Sequence, residues 1–162
     1  MTRIGLGYDS HGFAADETDR PLVLGGVVVA PTGGLSGHSD GDAVLHAITD
    51  AILGALAAGD IGEHFPDDDP RWAGADSSAF VRHAVALGAA RGLVVGNCDV
   101  TVLAERPKLG EHKPAMARRI AELLGVGADC VAVKAKTNER MGFIGRGEGI
   151  AAIAAVTLEE EH

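Results

Sequence analysis

The sequence is poor in aromatic residues and in positive charge, and both shortages exclude a class of function. Aromatic residues make up 4% of the 162 residues, and 14 Lys and Arg residues stand against 23 Asp and Glu residues, giving a net charge of −9. Nucleic-acid-binding proteins normally carry a basic stripe, so no nucleic-acid partner is expected. An anionic substrate would be repelled at long range, which indicates that bound cations would have to attract it.

Cysteine pairs and long apolar runs are also missing. Cys98 and Cys130 are isolated and form no CxxC motif, so we expect small buried apolar side chains and no disulfide. No run approaches the roughly 18 apolar residues that cross a bilayer. The start of the chain, "MTRIGLGYDSHG", lacks a basic-then-apolar signal. These features predict a cytoplasmic protein without a membrane partner.

The residue patterns predict an α+β fold. The length fits a single domain over residues 1–162 with its own hydrophobic core. Alternation and β-branched residues predict strands, and apolar periodicity predicts helices, the first of them capped by Ser39 or Asp40. The predicted strands are 1–11, two short strands within 21–30, 94–105, 130–137 and 149–160, and the predicted helices are 39–58, 76–91 and 112–125. This order favours two layers, with helices on one face of a mainly antiparallel four-stranded sheet.

The stretch "LGYDSHGF", residues 6–13, places two polar residues in an apolar strand. Asp9 and His11 are two positions apart and therefore project to the same face. His46, in the first helix, is a possible third metal ligand, and Asp42 and Asp50, one turn to either side, could orient its ring. Two histidines and a carboxylate would leave zinc an open position, as in catalytic sites. A solvated strand end and an exposed charged helix face remain the alternatives.

Two further stretches are rich in polar and charged residues, and the first of them suits a phosphate. "GHSDGD", residues 37–42, precedes the first helix, where free N–H groups favour an anion, although a simple cap is also possible. "VKAKTNERMGFIGRGEG", residues 133–149, is rich in charge, but its glycines match neither GxGxxG nor the P-loop, and a salt-bridged turn is an alternative. By themselves, "FPDDDP" and "ERPKLGEHKP" are typical of a solvated turn and a loop.

Taken together, these segments resemble the 2-C-methyl-D-erythritol 2,4-cyclodiphosphate synthase family of the non-mevalonate isoprenoid pathway. The resemblance covers residues 2–157 and is carried by "RIGLGYDSH", "HSDGDAVLHAITDAILGALAAGDIGEHFPD", "GADS", "NCDVTVLAERPKL" and "VKAKTNERMGFIGRGEGI". It implies a homotrimeric lyase with active sites at subunit interfaces. The implied reaction cyclises 4-diphosphocytidyl-2-C-methyl-D-erythritol 2-phosphate to the 2,4-cyclodiphosphate and releases CMP.

The resemblance also implies roles for individual residues. Asp9, His11 and His46 would bind one zinc ion per subunit, and Glu139 would help to hold magnesium or manganese on the substrate diphosphate. His38 and Thr137 would steady the transition state. The implied substrate contacts begin with Ser39 at the erythritol phosphate and with Asp60, Ile61 and Gly62 near the ribose. A flap over the erythritol would consist of Phe65, Pro66, Asp67, Asp68 and Asp69. The cytidine pocket, on the neighbouring subunit, would consist of Ala104, Pro107, Lys108 and Leu109, and the other implied contacts are Lys136, Phe143 and Arg146. Arg146 and Glu148 resemble residues near a three-fold axis.

Two other functions fit the same residues. A metal-dependent phosphodiesterase would use Asp, His and two cations to activate water, and a non-catalytic trimer would bind nucleotides beside a structural zinc ion. The cyclisation itself needs no protein base, because the attacking phosphate oxygen is already anionic, and no Ser–His or Cys–His pair is evident. Product analysis separates the three functions.

Overall fold

A computed structural model describes residues 1–15 and 19–161. The strands are β1 (Arg3–Gly12), β2 (Leu22–Leu24), β3 (Val27–Ala30), β4 (Leu93–Leu103), β5 (Val131–Lys136) and β6 (Gly149–Glu160). The helices are α1 (Ala43–Ala55), α2 (Ile61–His64), α3 (Ser78–Ala89), α4 (Lys113–Leu124) and α5 (Gly142–Gly145), with 3₁₀ turns at Pro70–Trp72, Gly110–His112 and Ala128–Cys130. The α+β prediction is confirmed.

The main sheet is mixed. Its strand order is β1-β6-β4-β5, and β2 and β3 form a separate hairpin. β6 is antiparallel to both β1 and β4, but β5 runs parallel to β4. The prediction of a mainly antiparallel sheet is therefore only partly right. The parallel pair arises because α4 carries the chain back across the sheet between β4 and β5, which returns the second strand in the same direction.

Helix α1 lies directly against β1 because two glycines leave room for its backbone. A Cβ atom on Gly5 would come within 1.7 Å of the Ala51 carbonyl oxygen, and one on Gly7 within 1.8 Å of the Ala47 carbonyl oxygen. Residues two apart share a strand face, so Asp9 and His11 point to the same side as these glycines. The close approach thus places both side chains beside α1, which carries His46.

The core lies between the sheet and the helices. Apolar side chains of α1 pack against buried residues of β4 and β6, and α3 packs on α1. Both cysteines are free thiols, with Cys98 buried and Cys130 half-buried. Burial raises the pKa of the Cys98 thiol to about 12. None of the helices in the described ranges is long and apolar enough to cross a membrane.

The first helix begins at Ala43, four residues later than predicted. Its cap is Asp42, whose carboxylate accepts hydrogen bonds from the backbone N–H groups of Val44 and Leu45. The prediction of Ser39 or Asp40 as the cap is therefore wrong. The helices α2 and α5 were not predicted at all, because four-residue helices are too short to show apolar periodicity.

The outer face of the sheet, opposite the helices, exposes large apolar side chains. Ile4, Leu6 and Tyr8 of β1 are 74%, 71% and 54% exposed, and Ile153 of β6, which pairs with Tyr8, is 37% exposed. We call these four residues the outer apolar face. An exposed group of this kind is typical of a surface that another protein chain covers.

Candidate metal centre and active site

Three side chains from β1 and α1 converge on one point. His11 Nε2 lies 2.7 Å from Asp9 Oδ2, and His46 Nδ1 lies 3.1 Å from the same oxygen and 3.2 Å from His11 Nε2. The strand supplies two of these groups and the helix supplies the third across the close contact at Gly5 and Gly7. The arrangement is the one that the sequence predicts, and its donor set can hold a metal ion.

Hydrogen bonds on the far side of each ring determine which nitrogen faces this point with a lone pair. His11 Nδ1 lies 2.7 Å from the Ser36 carbonyl oxygen, which only accepts, so Nδ1 carries the proton and Nε2 the lone pair. His46 Nε2 contacts the Ser77 hydroxyl, which donates its proton to Asp40 and so accepts from Nε2, leaving the lone pair on Nδ1, which faces Asp9. Three acceptors then meet at 2.7–3.2 Å. They repel one another unless a proton or a metal cation lies between them.

The close contacts within the cluster also shift the pKa values of Asp9 and His11. Burial raises the pKa of Asp9, but its close contacts with the His11 and His46 rings together lower it by more, so the net pKa is below the usual value. The hydrogen bond to Asp9 raises the pKa of His11.

The three ligand atoms lie close enough together to contact one metal ion. With zinc–ligand bonds of about 2.0–2.2 Å, ligand atoms at the corners of a tetrahedron lie roughly 3.3 Å apart. The two separations that involve His46, 3.1 and 3.2 Å, are close to that value, and the Asp9–His11 separation of 2.7 Å is shorter. If the three groups held a four-coordinate ion, one position would stay open for a substrate or water, as in catalytic sites.

Asp42 and Asp50, each one turn from His46, accept hydrogen bonds from backbone N–H groups. Asp42 accepts from the backbone N–H groups of Gly25 and Gly26 as well as those of the helix, and Asp50 accepts from the N–H of Ile61 at 2.7 Å. The prediction that these carboxylates orient the His46 ring is therefore wrong. The ring is instead held by Ser39 and Ser77, at 3.1 and 2.8 Å from Nε2.

A cavity of about 490 Å³ opens over the cluster. Several residues with implied substrate contacts line it, namely His38, Ser39, Ile61, Gly62, Phe65, Pro66 and Asp67. Trp72 and Phe80, which were not predicted, complete the wall, and Phe65 packs edge-on against Trp72 with ring centres 5.0 Å apart. The cavity therefore joins a metal-binding cluster to an apolar and aromatic wall.

The remaining predicted residues of this region lie at its edge. Asp60 caps α2 by accepting from the N–H of Glu63, and Asp68 is exposed. Asp69 pairs with Arg71, which lowers the pKa of that carboxyl group. The Asp69 carbonyl oxygen accepts a hydrogen bond from His38 Nε2 at 2.9 Å. The stretch 65–69 is thus linked to His38 through its backbone.

A second cavity, of about 560 Å³, lies at the ends of β4 and β5 and shares no lining residue with the first. Its walls contain the residues implied for cytidine binding, Ala104, Pro107, Lys108 and Leu109, together with Lys136 and Thr137. The chain therefore keeps the metal cluster and the implied nucleotide pocket in separate places.

Glu139 lies in a strained turn beside the second cavity. Glu139 and Arg140 have φ values of 52° and 62°, which are uncommon for residues with side chains. The Glu105 carboxylate holds this turn by accepting from the N–H groups of Asn138 and Arg140. Thr137 Oγ1 lies 3.4 Å from a carboxylate oxygen of Glu139. Within one chain, neither Thr137 nor Glu139 lines the cavity over the metal cluster.

Phe143 and Arg146 lie outside both cavities. Phe143, in α5, is 43% exposed, and the exposed Arg146 guanidinium lies 2.6 Å from the Glu148 carboxylate. This ion pair matches the salt-bridged turn that was an alternative for residues 133–149.

Sequence reasoning missed the groups that hold the metal cluster from behind. Ser36, Asp40 and Ser77 make these contacts, and Arg20 donates to the carbonyl oxygens of Gly37 and Ser39. Ser77 is 31 positions from His46, so no periodicity links the two. The segments "HSDGD" and "GADS" contain Asp40 and Ser77, but nothing in their spacing links either residue to His46.

Comparisons with known proteins place the chain in a family. The chain matches the YgbB family over residues 2–159. It is 58% identical over 156 residues to the 2-C-methyl-D-erythritol 2,4-cyclodiphosphate synthase of Xanthomonas oryzae pv. oryzae strain PXO99A, covering 96% of this chain and 94% of that protein.

Solved structures give the same result. The bifunctional IspDF of Campylobacter jejuni superposes with a TM-score of 0.93 at 42% identity, over 99% of this chain and 42% of that longer one. The CDP complex of IspF from Plasmodium falciparum has a TM-score of 0.85 at 34% identity, over 99% and 97% of the two chains. On this evidence the chain belongs to the YgbB family.

Proposed function

We propose that the chain is a metal-dependent 2-C-methyl-D-erythritol 2,4-cyclodiphosphate synthase, a cytoplasmic lyase of the non-mevalonate isoprenoid pathway in which residues 1–162 act as one synthase domain. Its substrate is 4-diphosphocytidyl-2-C-methyl-D-erythritol 2-phosphate. The observation that carries this proposal is the convergence of Asp9, His11 and His46 with three facing lone pairs, in a chain 58% identical to a synthase of that name.

The reaction needs positioning more than proton transfer. An oxygen of the substrate's 2-phosphate attacks the β-phosphorus in line, and the bond from that phosphorus to the bridging oxygen breaks, so that CMP leaves with the bridging oxygen. The protein must fold a flexible polyanion into this geometry and stabilise the charge on the phosphoryl oxygens. Divalent ions supply Lewis-acid stabilisation of that charge when they are bound.

The residues around the metal cluster suit the erythritol end of the substrate. His38 and Ser39 lie in the cavity over the cluster and provide hydrogen-bond donors for the 2-phosphate. Phe65, Pro66 and Asp67 form a flap over the erythritol, and the contact from His38 to the Asp69 carbonyl oxygen fixes the base of that flap. Asp60, Ile61 and Gly62 face the ribose, and Asp68 belongs to the flap.

The residues of the second cavity suit the cytidine end. Lys108 and Lys136 supply positive charge, and Ala104, Pro107 and Leu109 supply an apolar surface. Thr137 and Glu139 stand beside this cavity, where Glu139 helps to hold magnesium or manganese on the diphosphate. Phe143 and Arg146 complete the substrate contacts. Zinc is the proposed ion at Asp9, His11 and His46.

One substrate must reach both cavities, which supports a homotrimer with active sites between subunits. The two cavities share no residues within one chain, so the nucleotide pocket of one subunit would adjoin the metal cluster of the next. The outer apolar face offers the surface on which three copies would pack. Arg146 and Glu148 would then lie near the three-fold axis.

The test is a turnover assay read by phosphorus NMR. Incubation of the protein with zinc, magnesium and the diphosphocytidyl substrate is expected to produce the cyclic diphosphate and CMP. A ring-opened product carrying oxygen from water would instead identify a phosphodiesterase, and nucleotide binding without turnover would identify a non-catalytic protein.

The same assay predicts the effect of removing one ligand. His46→Ala is expected to lose one bound zinc ion per chain and to reduce turnover by at least about 100-fold, because only two ligands remain. The zinc content is measured by elemental analysis and the fold by circular dichroism. Full activity in a variant shown to lack zinc would remove zinc from the mechanism.

A further inference from the structure

On the side away from the metal cluster, the His46 ring contacts Ser77, and Ser77 in turn contacts Asp40. None of the roles proposed above involves Ser77 or Asp40. Ser77 is fully buried, and its Oγ lies 2.8 Å from His46 Nε2. On its other side the same hydroxyl donates to Asp40 Oδ1 at 2.5 Å. Three groups on different segments thus form one line of hydrogen bonds that ends at the metal-facing ring.

The direction of these hydrogen bonds is fixed by chemistry. A carboxylate only accepts, so the Ser77 hydroxyl proton points to Asp40. The Ser77 oxygen therefore presents a lone pair to His46, and Nε2 must carry the proton. Nδ1 is then left with the lone pair, and it is Nδ1 that lies 3.1 Å from Asp9 Oδ2 and 3.2 Å from His11 Nε2.

Asp40 is itself firmly placed. Its Oδ2 accepts from the Ser77 backbone N–H at 3.0 Å, and its Oδ1 also accepts from the Asp42 N–H at 3.0 Å. These bonds tie the segment before α1 to the start of α3. The Ser77 hydroxyl has little freedom to turn toward any other acceptor.

We propose that Asp40 and Ser77 are positioning residues for the metal centre, because their hydrogen bonds hold the His46 ring with Nε2 protonated and Nδ1 free for the metal ion. Ser39 Oγ also contacts Nε2, at 3.1 Å. Outer partners of this kind orient a ligand ring, and their loss typically lowers metal affinity about 10- to 100-fold. The inference rests on the proposed metal site but not on the cyclisation reaction.

The experiment measures zinc affinity directly. Metal-free wild type and variants are titrated with zinc against a competing chelator, without substrate. Ser77→Ala is expected to bind zinc about 10- to 100-fold more weakly than wild type. Ser78→Ala is the matched control, because Ser78 is the adjacent buried serine and its backbone N–H bonds to Asp76. It is expected to retain the wild-type affinity.

A spectroscopic measurement on the wild type keeps the test valid if Ser77→Ala does not fold. Nitrogen-15 NMR of the zinc-loaded protein is expected to show His46 bound through Nδ1 with a proton on Nε2. Zinc bound through Nε2 would overturn the inference, as would a Ser77→Ala variant with zinc affinity within twofold of wild type. If the wild type binds no zinc, the proposed metal site fails as well, and the two failures are therefore distinguishable.

Discussion

Asp42 has no solvent exposure, and its two carboxylate oxygens accept four backbone N–H groups. Two of these donors belong to the turn between β2 and β3, and two belong to the first turn of α1. Asp42→Asn would leave one oxygen for these donors and would direct an amide N–H₂ group at the others. We expect it to lower the free energy of unfolding by about 1–3 kcal/mol, measured by urea denaturation with Asp68→Asn as an exposed control.

The same variant tests the charge of Asp42. Burial raises the pKa of Asp42 to about 6 in the folded protein, above the ordinary 3.8. Between these values the folded state binds more protons than the unfolded chain, so the contribution of Asp42 to stability is full below about pH 4 and declines as pH rises through about 6. The stability difference between wild type and Asp42→Asn should therefore shrink from pH 4 to pH 7. A difference that grows with pH would contradict this assignment.

Substitution of Lys108 tests whether the second cavity binds the nucleotide through a charged side chain. Its exposed ammonium group lies in the second cavity, away from the metal cluster. Loss of one charge-assisted hydrogen bond costs about 1.5–3 kcal/mol, so Lys108→Ala is expected to raise KM at least about tenfold. The turnover number at saturating substrate should stay within about threefold of wild type. Steady-state kinetics measure both constants. Arg118→Ala, on α4, is the control and should change neither constant. A large fall in the turnover number of Lys108→Ala at unchanged KM would exclude a binding role for Lys108.

At the scale of elements, the contact between β1 and α1 determines the geometry of the metal centre. Gly7→Ala would place Cβ 1.8 Å from the Ala47 carbonyl oxygen, which only a displacement of the helix can relieve. We expect a loss of at least about 3 kcal/mol in the free energy of unfolding, because overpacking against backbone is poorly tolerated. Weaker zinc binding should accompany it, since His46 lies on the displaced helix.

A matched control lies on the same strand. A Cβ atom on Gly12 would come no closer than 3.6 Å to the Glu148 carbonyl oxygen, so Gly12→Ala is expected to change stability by less than about 1 kcal/mol. Denaturation curves of both variants provide the measurement. Equal losses in the two variants would show that the strand, and not its contact with α1, limits stability.

The long elements were predictable from sequence because their patterns are strong. Alternation in β1 predicts that Asp9 and His11 share a face, and periodicity in α1 places His46 in a helix, so the metal cluster could be predicted. The parallel pairing of β4 and β5 depends on how α4 crosses the sheet, which alternation within a strand does not encode. The link from Asp40 through Ser77 to His46 was equally out of reach, because a hydrogen bond between residues 37 positions apart leaves no mark on local spacing.

At the scale of the whole molecule, the two faces of β1 present different kinds of side chain. Asp9 and His11 project toward α1, whereas Ile4, Leu6 and Tyr8 project to the outer apolar face. The proposed metal binding and the proposed subunit contact are therefore separable by mutation within one strand. If the active sites lie between the subunits of a trimer, turnover requires assembly. Zinc binding does not, because all three proposed ligands lie in one chain.

Leu6→Asp separates these two properties. Leu6 is 71% exposed in the single chain, so the substitution should not disturb the core, but three buried carboxylates would oppose assembly of a trimer. Sedimentation velocity is expected to show monomers for Leu6→Asp and the proposed trimer for wild type. Turnover of the variant should fall at least about tenfold, with one zinc ion still bound per chain. Ala86→Glu, on the exposed side of α3, should leave assembly and turnover unchanged. A Leu6→Asp monomer with full activity would show that one chain holds a complete site, because its two cavities would then have to serve the substrate without a neighbour.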